Sequence, residues 1–107
     1  MKILKFREAL SRLILKGEKY TTWRLFDDKD LSRGDVVAFL VWETNKEFAK
    51  AKLVEVRETR FGELTNEDWD GHEKFLSNEE MYKTYSKYYN HKVSKNSPVK
   101  IIKFELV

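Results

Sequence analysis

The fold is decided by one stretch of sequence, Gly17-Glu18-Lys19-Tyr20-Thr21-Thr22-Trp23-Arg24-Leu25. A glycine accepts the left-handed backbone conformation that closes many helices, so Gly17 marks the end of the helical pattern before it. The residues after it alternate around β-branched and aromatic side chains, which predicts a strand from Tyr20 to Phe26. The stretch is therefore predicted to run from a helix end directly into a strand.

The two faces of this predicted strand differ in character, because successive side chains of a strand point to opposite sides. Tyr20, Thr22 and Arg24 share the polar face, whereas Trp23 lies on the more apolar face, which we expect to pack inward. With Lys19 in the turn, a lysine, a hydroxyl and a guanidinium converge on one face. This set suits an anionic or carbonyl-bearing ligand. The alternative interpretation is a helix-to-strand turn whose polar residues face solvent.

The rest of the chain shows one helical pattern before this stretch and a mixture of patterns after it. Apolar residues recur at helical spacing at Phe6, Leu10, Leu13 and Ile14. Further strands are predicted at 36–42, 48–56 and 99–106, a loop with a short helical turn at 58–75, and a helix that begins after a capping box at 77–80. The order of these elements indicates an α+β fold with a small closed or half-closed barrel flanked by helices.

Composition limits the class of protein. A chain of 107 residues has room for one domain, which we place at residues 1–107. The absence of cysteine excludes disulfide scaffolds and thiolate metal sites, and it fits a reducing compartment, so we expect a cytoplasmic protein. No apolar run approaches the roughly 20 residues that span a bilayer, and charges interrupt the N-terminal residues 1–15. We expect neither membrane association nor secretion.

Charge and aromatic residues are unevenly distributed. The net charge is only +3, but acidic residues predominate between Glu58 and Met81 and lysines predominate from Tyr82 to the end. A basic C-terminal third that is rich in tyrosine favours a phosphate-bearing partner. A solvated charged surface is the alternative interpretation.

Several motifs, taken in order along the chain, resemble the ASCH family of PUA-like domains. They are Gly17-x-Lys19-x-x-Thr22-x-Arg24-Leu25, Leu31-x-x-Gly34-Asp35-Val36, Phe61-x-x-Leu64-Thr65, Asp70-Gly71-His72, Tyr88 and Ile102-x-Phe104-Glu105. The resemblance implies a small PUA-like β-barrel flanked by two or three helices. It also implies a cleft lined by the lysine, threonine and arginine, and RNA or a modified nucleoside as the partner.

One branch of that family consists of amidohydrolases that remove the acetyl group of N(4)-acetylcytidine. The resemblance implies that Lys19 is the proton acceptor, Thr22 the nucleophile, and an acidic residue of the later loop the proton donor. The acid falls on Asp70, with Glu73 as the second candidate. That branch has a glutamate in this role, so Asp70 is a departure from its pattern. Arg24 could lower the pKa of the lysine or stabilise the oxyanion of an attacked acetyl group.

The remaining candidate residues receive simpler predictions. Trp69, beside Asp70 in the acidic loop, is expected to contact a ligand base, and Trp23 is expected in the core. His72 and His91 are predicted to be surface residues, and the acidic cluster at 67–70 is predicted to be a solvated loop. We expect no metal, no cofactor and a monomeric protein.

Two functions remain open from the sequence. The first is an enzyme: an amidohydrolase, or as a second choice a ribonuclease, that acts on an acetylated pyrimidine nucleoside or on RNA. The second is a non-catalytic RNA-binding module that uses the same cleft and the basic C-terminal face. Hydrolysis needs a proton donor and binding does not, so the identity of the acid distinguishes the two hypotheses.

Overall fold

Five segments of the chain form strands of one mixed sheet in the computed structural model, which describes residues 1–107. Three helices flank this sheet, and a 3₁₀ turn at Phe61–Glu63 follows the longest strand. In chain order, the elements are β1 (Ile3–Phe6), α1 (Glu8–Leu15), β2 (Thr21–Arg24), β3 (Val36–Val41), β4 (Glu47–Arg60), α2 (Asn66–Trp69), α3 (Asn78–Tyr89) and β5 (Pro98–Leu106).

The strand order is β1-β3-β4-β5-β2, and only the β1–β3 pair is parallel. β4 is 14 residues long and pairs with β3 through its first half and with β5 along most of its length, with a bulge between Leu53 and Glu55 in the pairing with β5. β1 and β2 are the two edges of the sheet, which is a half-barrel. The Nη2 atom of Arg24 in β2 donates a hydrogen bond to the Lys5 carbonyl oxygen of β1 at 2.8 Å. An arginine side chain, instead of a strand ladder, therefore links the two edges.

Two hydrophobic clusters hold the sheet and the helices together. We call the first core the cluster of Leu4, Phe6, Ile14, Leu31, Val37, Phe39, Ala51, Leu53, Ile102 and Phe104. We call the second core the cluster of Trp23, Leu25, Phe61, Met81, Tyr85, Val93, Val99 and Ile101. The neighbours Ile101 and Ile102 belong to different cores, because adjacent residues of β5 point to opposite faces of the sheet.

The N-terminal segment corrects the sequence interpretation. Phe6 was assigned to the first helix by its spacing, but it is the last residue of a strand, β1. Leu4 and Phe6 are both buried at a period of two, and β1 finds a parallel partner in β3. The helix begins only at Glu8. It ends at Leu15, and Gly17 follows with φ +79°, as its position predicted.

The other elements follow the sequence interpretation with shifted ends. β4 extends beyond the predicted 48–56 to Arg60, and Trp42 lies just after β3. Ser77 is the N-cap of α3 and accepts a hydrogen bond from the Glu80 amide at 3.1 Å, as predicted, while a complete capping box forms instead at Thr65, ahead of α2. None of the three helices combines the length and apolar character that crossing a membrane requires.

Candidate active site

A cavity of about 160 Å³ opens between the two edge strands. Thr22 and Arg24 of β2 line it together, as the alternation of that strand predicts. The opposite wall comes from β1 and the start of α1, and tyrosines of α3 close the third side. The opening exists because β1 and β2 do not pair, so the incomplete barrel itself creates the site.

The loop after α2 is fastened to the start of β2 at Gly71. The Gly71 carbonyl oxygen accepts hydrogen bonds from the backbone amides of Tyr20 at 2.9 Å and Thr21 at 3.1 Å. Gly71 has φ +77°, and a Cβ atom at this position would lie 2.4 Å from the Tyr20 ring. Only glycine fits both conditions. This contact carries the following residues, including Glu73, back towards the cavity.

Lys19 and Glu73 form an ion pair beside the cavity. Lys19 is only 2 % exposed, and its Nζ donates to Glu73 Oε1 at 2.5 Å and to the Thr21 carbonyl oxygen at 2.7 Å. Glu73 is partly buried and lines the cavity, and its contact with Lys19 links the lysine to the cavity. Burying a lysine with a single carboxylate partner costs free energy, because both charges lose their hydration. Such buried pairs are often found at functional sites.

Both members of this pair have altered proton affinities. Burial lowers the pKa of Lys19 below its ordinary value; Glu73 opposes this shift and the Arg24 guanidinium adds to it. Burial alone would raise the pKa of Glu73, but the positive charge of Lys19 and their hydrogen bond bring that pKa below its ordinary value. At neutral pH, Glu73 is therefore ionised, and Lys19 releases its proton more readily than a solvent-exposed lysine.

Thr22 and Arg24 present unused polar atoms at the cavity. Thr22 is 5 % exposed and its hydroxyl has no hydrogen-bond partner in the protein. The Nε of Arg24 is buried and has no partner either, and no carboxylate lies within 4 Å of its guanidinium, which lies over the Phe6 ring at 4.6 Å. Burial lowers the pKa of Arg24. A partly buried cation without a counterion can receive an anion or a polarised carbonyl oxygen from a ligand.

The prediction that His72 is a surface residue is wrong. Its ring is buried and stacks on Trp23 at a centroid distance of 3.7 Å. Nδ1 lies 2.8 Å from the Glu73 carbonyl oxygen, which can only accept, so Nδ1 carries the proton and Nε2 accepts from the Tyr85 hydroxyl at 3.1 Å. Burial and the charge of Lys19 lower the pKa of His72 to about 3, which keeps the ring neutral. His91 is exposed, as predicted.

Three residues predicted for the site lie outside the cavity wall. Asp70 is exposed, and its carboxylate accepts a hydrogen bond from the Tyr20 hydroxyl at 2.7 Å. Trp69 packs edge-on against Trp23 at 4.7 Å and has the Lys74 ammonium 5.2 Å from the centre of its ring. From the predicted set, Thr22, Arg24 and Glu73 therefore line the cavity and Lys19 joins them through Glu73, whereas Asp70, Tyr20 and Trp69 do not line it.

The acidic loop is less solvated than the sequence interpretation predicted. Asp68 is fully buried, caps α2 through the Thr65 amide at 2.9 Å, and forms a salt bridge with Arg57. Its carboxylate is thus a structural group. No set of three or more histidine, aspartate or glutamate side chains converges anywhere in the structure in a way that could hold a metal ion.

Sequence interpretation missed the residues at the mouth of the cavity. Trp42 is 54 % exposed and lines the cavity with Lys5 and Arg7, and Tyr88 and Tyr89 face them from α3. The sequence predicts Trp42 as the last residue of the strand at 36–42, and it assigns Arg7 to the segment with helical spacing that begins at Phe6. A usable signal was the alternation of apolar and basic residues through 4–7, which is typical of a strand with one polar face.

Comparison with known proteins identifies the fold. No protein-family model matches the chain, and no curated protein matches it. Among solved structures, protein EF3133 from Enterococcus faecalis V583, of family DUF984, matches with TM-score 0.80 and 14% identity over 100% of this chain and 76% of that one. The ASCH domain from Lactobacillus crispatus JV V101 matches with TM-score 0.71 and 12% identity over 98% and 79%. Hypothetical protein PH0355 matches with TM-score 0.74 and 29% identity over 100% of both chains.

These matches show which fold the chain has. The chain has the fold of the ASCH domain structures, a small α+β PUA-like half-barrel with three helices, and this confirms the resemblance that its motifs predicted. At such identities the likeness extends to the fold and leaves the chemistry to be argued from the site itself.

Proposed function

We propose that this protein is an amidohydrolase that removes the acetyl group from an acetylated pyrimidine nucleoside. The observation that carries the proposal is a cavity lined by Thr22, Arg24 and Glu73, in which Glu73 is ion-paired with the buried Lys19. Glu73 takes the role of the acid in preference to Asp70, because Glu73 contacts Lys19 and lines the cavity, whereas Asp70 is exposed and bonded to Tyr20.

The ion pair can supply a base and an acid from one shared proton. A threonine hydroxyl is a poor nucleophile at neutral pH and needs a base beside it. When the proton moves from Lys19 to Glu73, the amine becomes a base and the carboxyl group becomes an acid. The ion pair is the resting form, and burial lowers the free-energy cost of reaching the neutral form, because desolvation penalises both charges.

The reaction then follows in two balanced stages. The Thr22 oxygen attacks the acetyl carbonyl carbon and its proton passes to Lys19, while Arg24 stabilises the oxyanion. The carbon–nitrogen bond breaks, and the leaving nitrogen takes the proton of Glu73. Water next attacks the acetyl group on Thr22, which releases acetate and restores the hydroxyl.

The shape and lining of the cavity suit a planar base. Six aromatic side chains line its walls, among them Trp42, Tyr88 and Tyr89. Aromatic rings stack on nucleobases with little dependence on the base, so they provide affinity while the polar groups select the acetyl amide.

The direct test is incubation of the purified protein with acetylated nucleosides and short RNAs, with products identified by mass spectrometry. We expect release of acetate from N(4)-acetylcytidine. Thr22→Val should reduce the rate by roughly 100-fold or more, because it removes the nucleophile and keeps the shape of the side chain. Thr59→Val, on β4 and outside the cavity, is the matched control and should leave the rate unchanged. A protein that releases no acetate from any substrate would refute the proposal.

A non-catalytic RNA-binding function is the second candidate, and the basic C-terminal segment favours it. Lys87, Lys92 and Lys95 are exposed and have no carboxylate partner, whereas Lys100 is paired with Asp27. Neutralising the three exposed lysines should reduce the salt dependence of RNA affinity by a slope of about 0.7 per lost phosphate contact. RNA binding without any product in the mass spectra would favour this function, and RNA fragments would indicate a ribonuclease.

A further inference from the structure

We propose that the substrate carries a phosphate group, which Lys5 and Arg7 bind at the mouth of the cavity beside Trp42. The inference rests on the proposed function for the identity of the nucleoside. It adds that the nucleoside is bound as a nucleotide, either free or within an RNA chain. The observation behind it is a cluster of one exposed indole and two cations that have no counterion.

The geometry of the mouth is set by Trp42. Its ring is 54 % exposed, and the Lys5 ammonium and the Arg7 guanidinium lie 5.5 Å and 5.0 Å from its centre. All three side chains line the cavity that also contains Thr22 and Arg24. An exposed indole with two cations near its ring presents an apolar surface and positive charge to the same ligand.

Lys5 and Arg7 differ from the neighbouring cations in the sequence, because they have no carboxylate partner. Lys2 forms a salt bridge with Asp35 at 2.8 Å, and Arg12 forms one with Glu8 at 2.8 Å. Lys5 and Arg7 lie between them and have no carboxylate within 4 Å. The two cations outside the cavity are thus neutralised within the protein, whereas the two that line it have no carboxylate partner.

No other group of the cavity can neutralise them. Glu73 is the only carboxylate in the wall, and it is bonded to Lys19. Arg24 adds a third positive charge, so the empty cavity has an excess of positive charge. A phosphate group matches this excess, because its several oxygens accept charge-assisted hydrogen bonds from lysine and arginine together. An uncharged nucleoside would leave the positive charges of Lys5 and Arg7 without a counterion.

The test compares the binding of cytidine, cytidine 5′-monophosphate and a short single-stranded RNA by isothermal titration calorimetry. The test variant is Lys5→Gln/Arg7→Gln. The matched control is Arg33→Gln/Lys52→Gln, which removes one arginine and one lysine from exposed positions outside the cavity. We expect the wild type and the control to bind the monophosphate about tenfold more tightly than cytidine. The test variant should lose that preference and retain its affinity for cytidine.

The two phosphate sources give different results in the same experiment. If the phosphate belongs to RNA, the single-stranded RNA should bind more tightly than the monophosphate. The slope of log affinity against log salt concentration should then fall by about 1.4 in the test variant, since two phosphate contacts are lost. A mononucleotide ligand should give equal affinities for the monophosphate and the strand. Both results support the inference and identify the source.

Failure of this inference is distinguishable from failure of the proposed function. Equal binding of cytidine and its monophosphate by the wild type, or a phosphate preference that survives in the test variant, would overturn the inference even if acetate is released. A phosphate preference that depends on Lys5 and Arg7, in a protein that releases no acetate, would overturn only the proposed function.

Discussion

The two hydrophobic cores lie against the same sheet but are built from different residues. The first core consists entirely of aliphatic and phenylalanine side chains and contains no titratable group. The second core contains Trp23 and Tyr85, and His72 stacks on the first of these and accepts a hydrogen bond from the second. The first core therefore provides stability, while the second combines packing with the positioning of polar groups beside the cavity. The predictions below test this division, from the largest effect to the smallest.

The largest effect is expected in the first core. Phe39 is completely buried and contacts the rings of Phe6 and Phe104, at centroid distances of 4.8 Å and 4.9 Å. Phe39→Ala should lower the free energy of unfolding by about 3–5 kcal/mol, through lost transfer energy and a cavity. Val36→Ala, at an exposed position of the same strand, is the control. Denaturant titration measures both variants, and equal losses would contradict the assignment of the first core.

The second prediction concerns pH. The pKa of His72 is about 3 in the folded protein and about 6.5 when unfolded, so the unfolded state binds a proton over that range and the folded state does not. His72 therefore contributes stability that is complete above pH ~6.5 and is lost as the pH falls towards ~3. His72→Phe should remove about 1.4 kcal/mol per pH unit from the slope of unfolding free energy within this range. Identical slopes for the two proteins would show that His72 titrates normally.

The third prediction separates packing from positioning in the second core. Tyr85→Phe keeps the ring but removes the hydroxyl that donates to His72, which should cost about 1 kcal/mol of unfolding free energy. We also expect a lower kcat, because His72 contacts the backbone oxygen of Glu73. Tyr82→Phe is the control, since the Tyr82 hydroxyl makes no hydrogen bond in the protein. An unchanged kcat in Tyr85→Phe would show that His72 contributes to packing and does not position Glu73.

The smallest effect on stability is expected at the mouth of the cavity. Trp42→Ala should change the free energy of unfolding by no more than about 0.5 kcal/mol, because the ring is more than half exposed. Its nucleotide affinity should nevertheless fall by about 1–3 kcal/mol through the loss of stacking. Calorimetric titration and denaturation of one preparation give both values. A large loss of stability with unchanged affinity would make Trp42 part of the core.

The sequence predicted the local features of the fold and missed those that depend on distant contacts. Gly17 and the alternation of β2 identified the helix end and the face shared by Thr22 and Arg24. β1 was missed because its partner β3 lies more than 30 residues away, and the helical spacing of Phe6 with later residues was a stronger local signal.

The assignment of the acid shows the same limit. Asp70 and Glu73 are three residues apart, and the sequence favoured Asp70 because it precedes a glycine. Which side chain reaches Lys19 depends on the turn at Gly71, where a positive φ and the contact with Tyr20 redirect the chain. His72 became buried for the same reason. These features follow from how the loop packs on β2, which the spacing of residues does not reveal.

The most direct test of the account is the rate of acetate release from N(4)-acetylcytidine by Glu73→Gln and Asp70→Asn, compared with the wild type. Both changes remove a carboxylate and keep the size of the side chain, and circular dichroism verifies that each variant is folded. The account predicts that Glu73→Gln lowers kcat by roughly 100-fold or more, whereas Asp70→Asn remains close to the wild type. Loss of activity in Asp70→Asn with a normal rate in Glu73→Gln would contradict it.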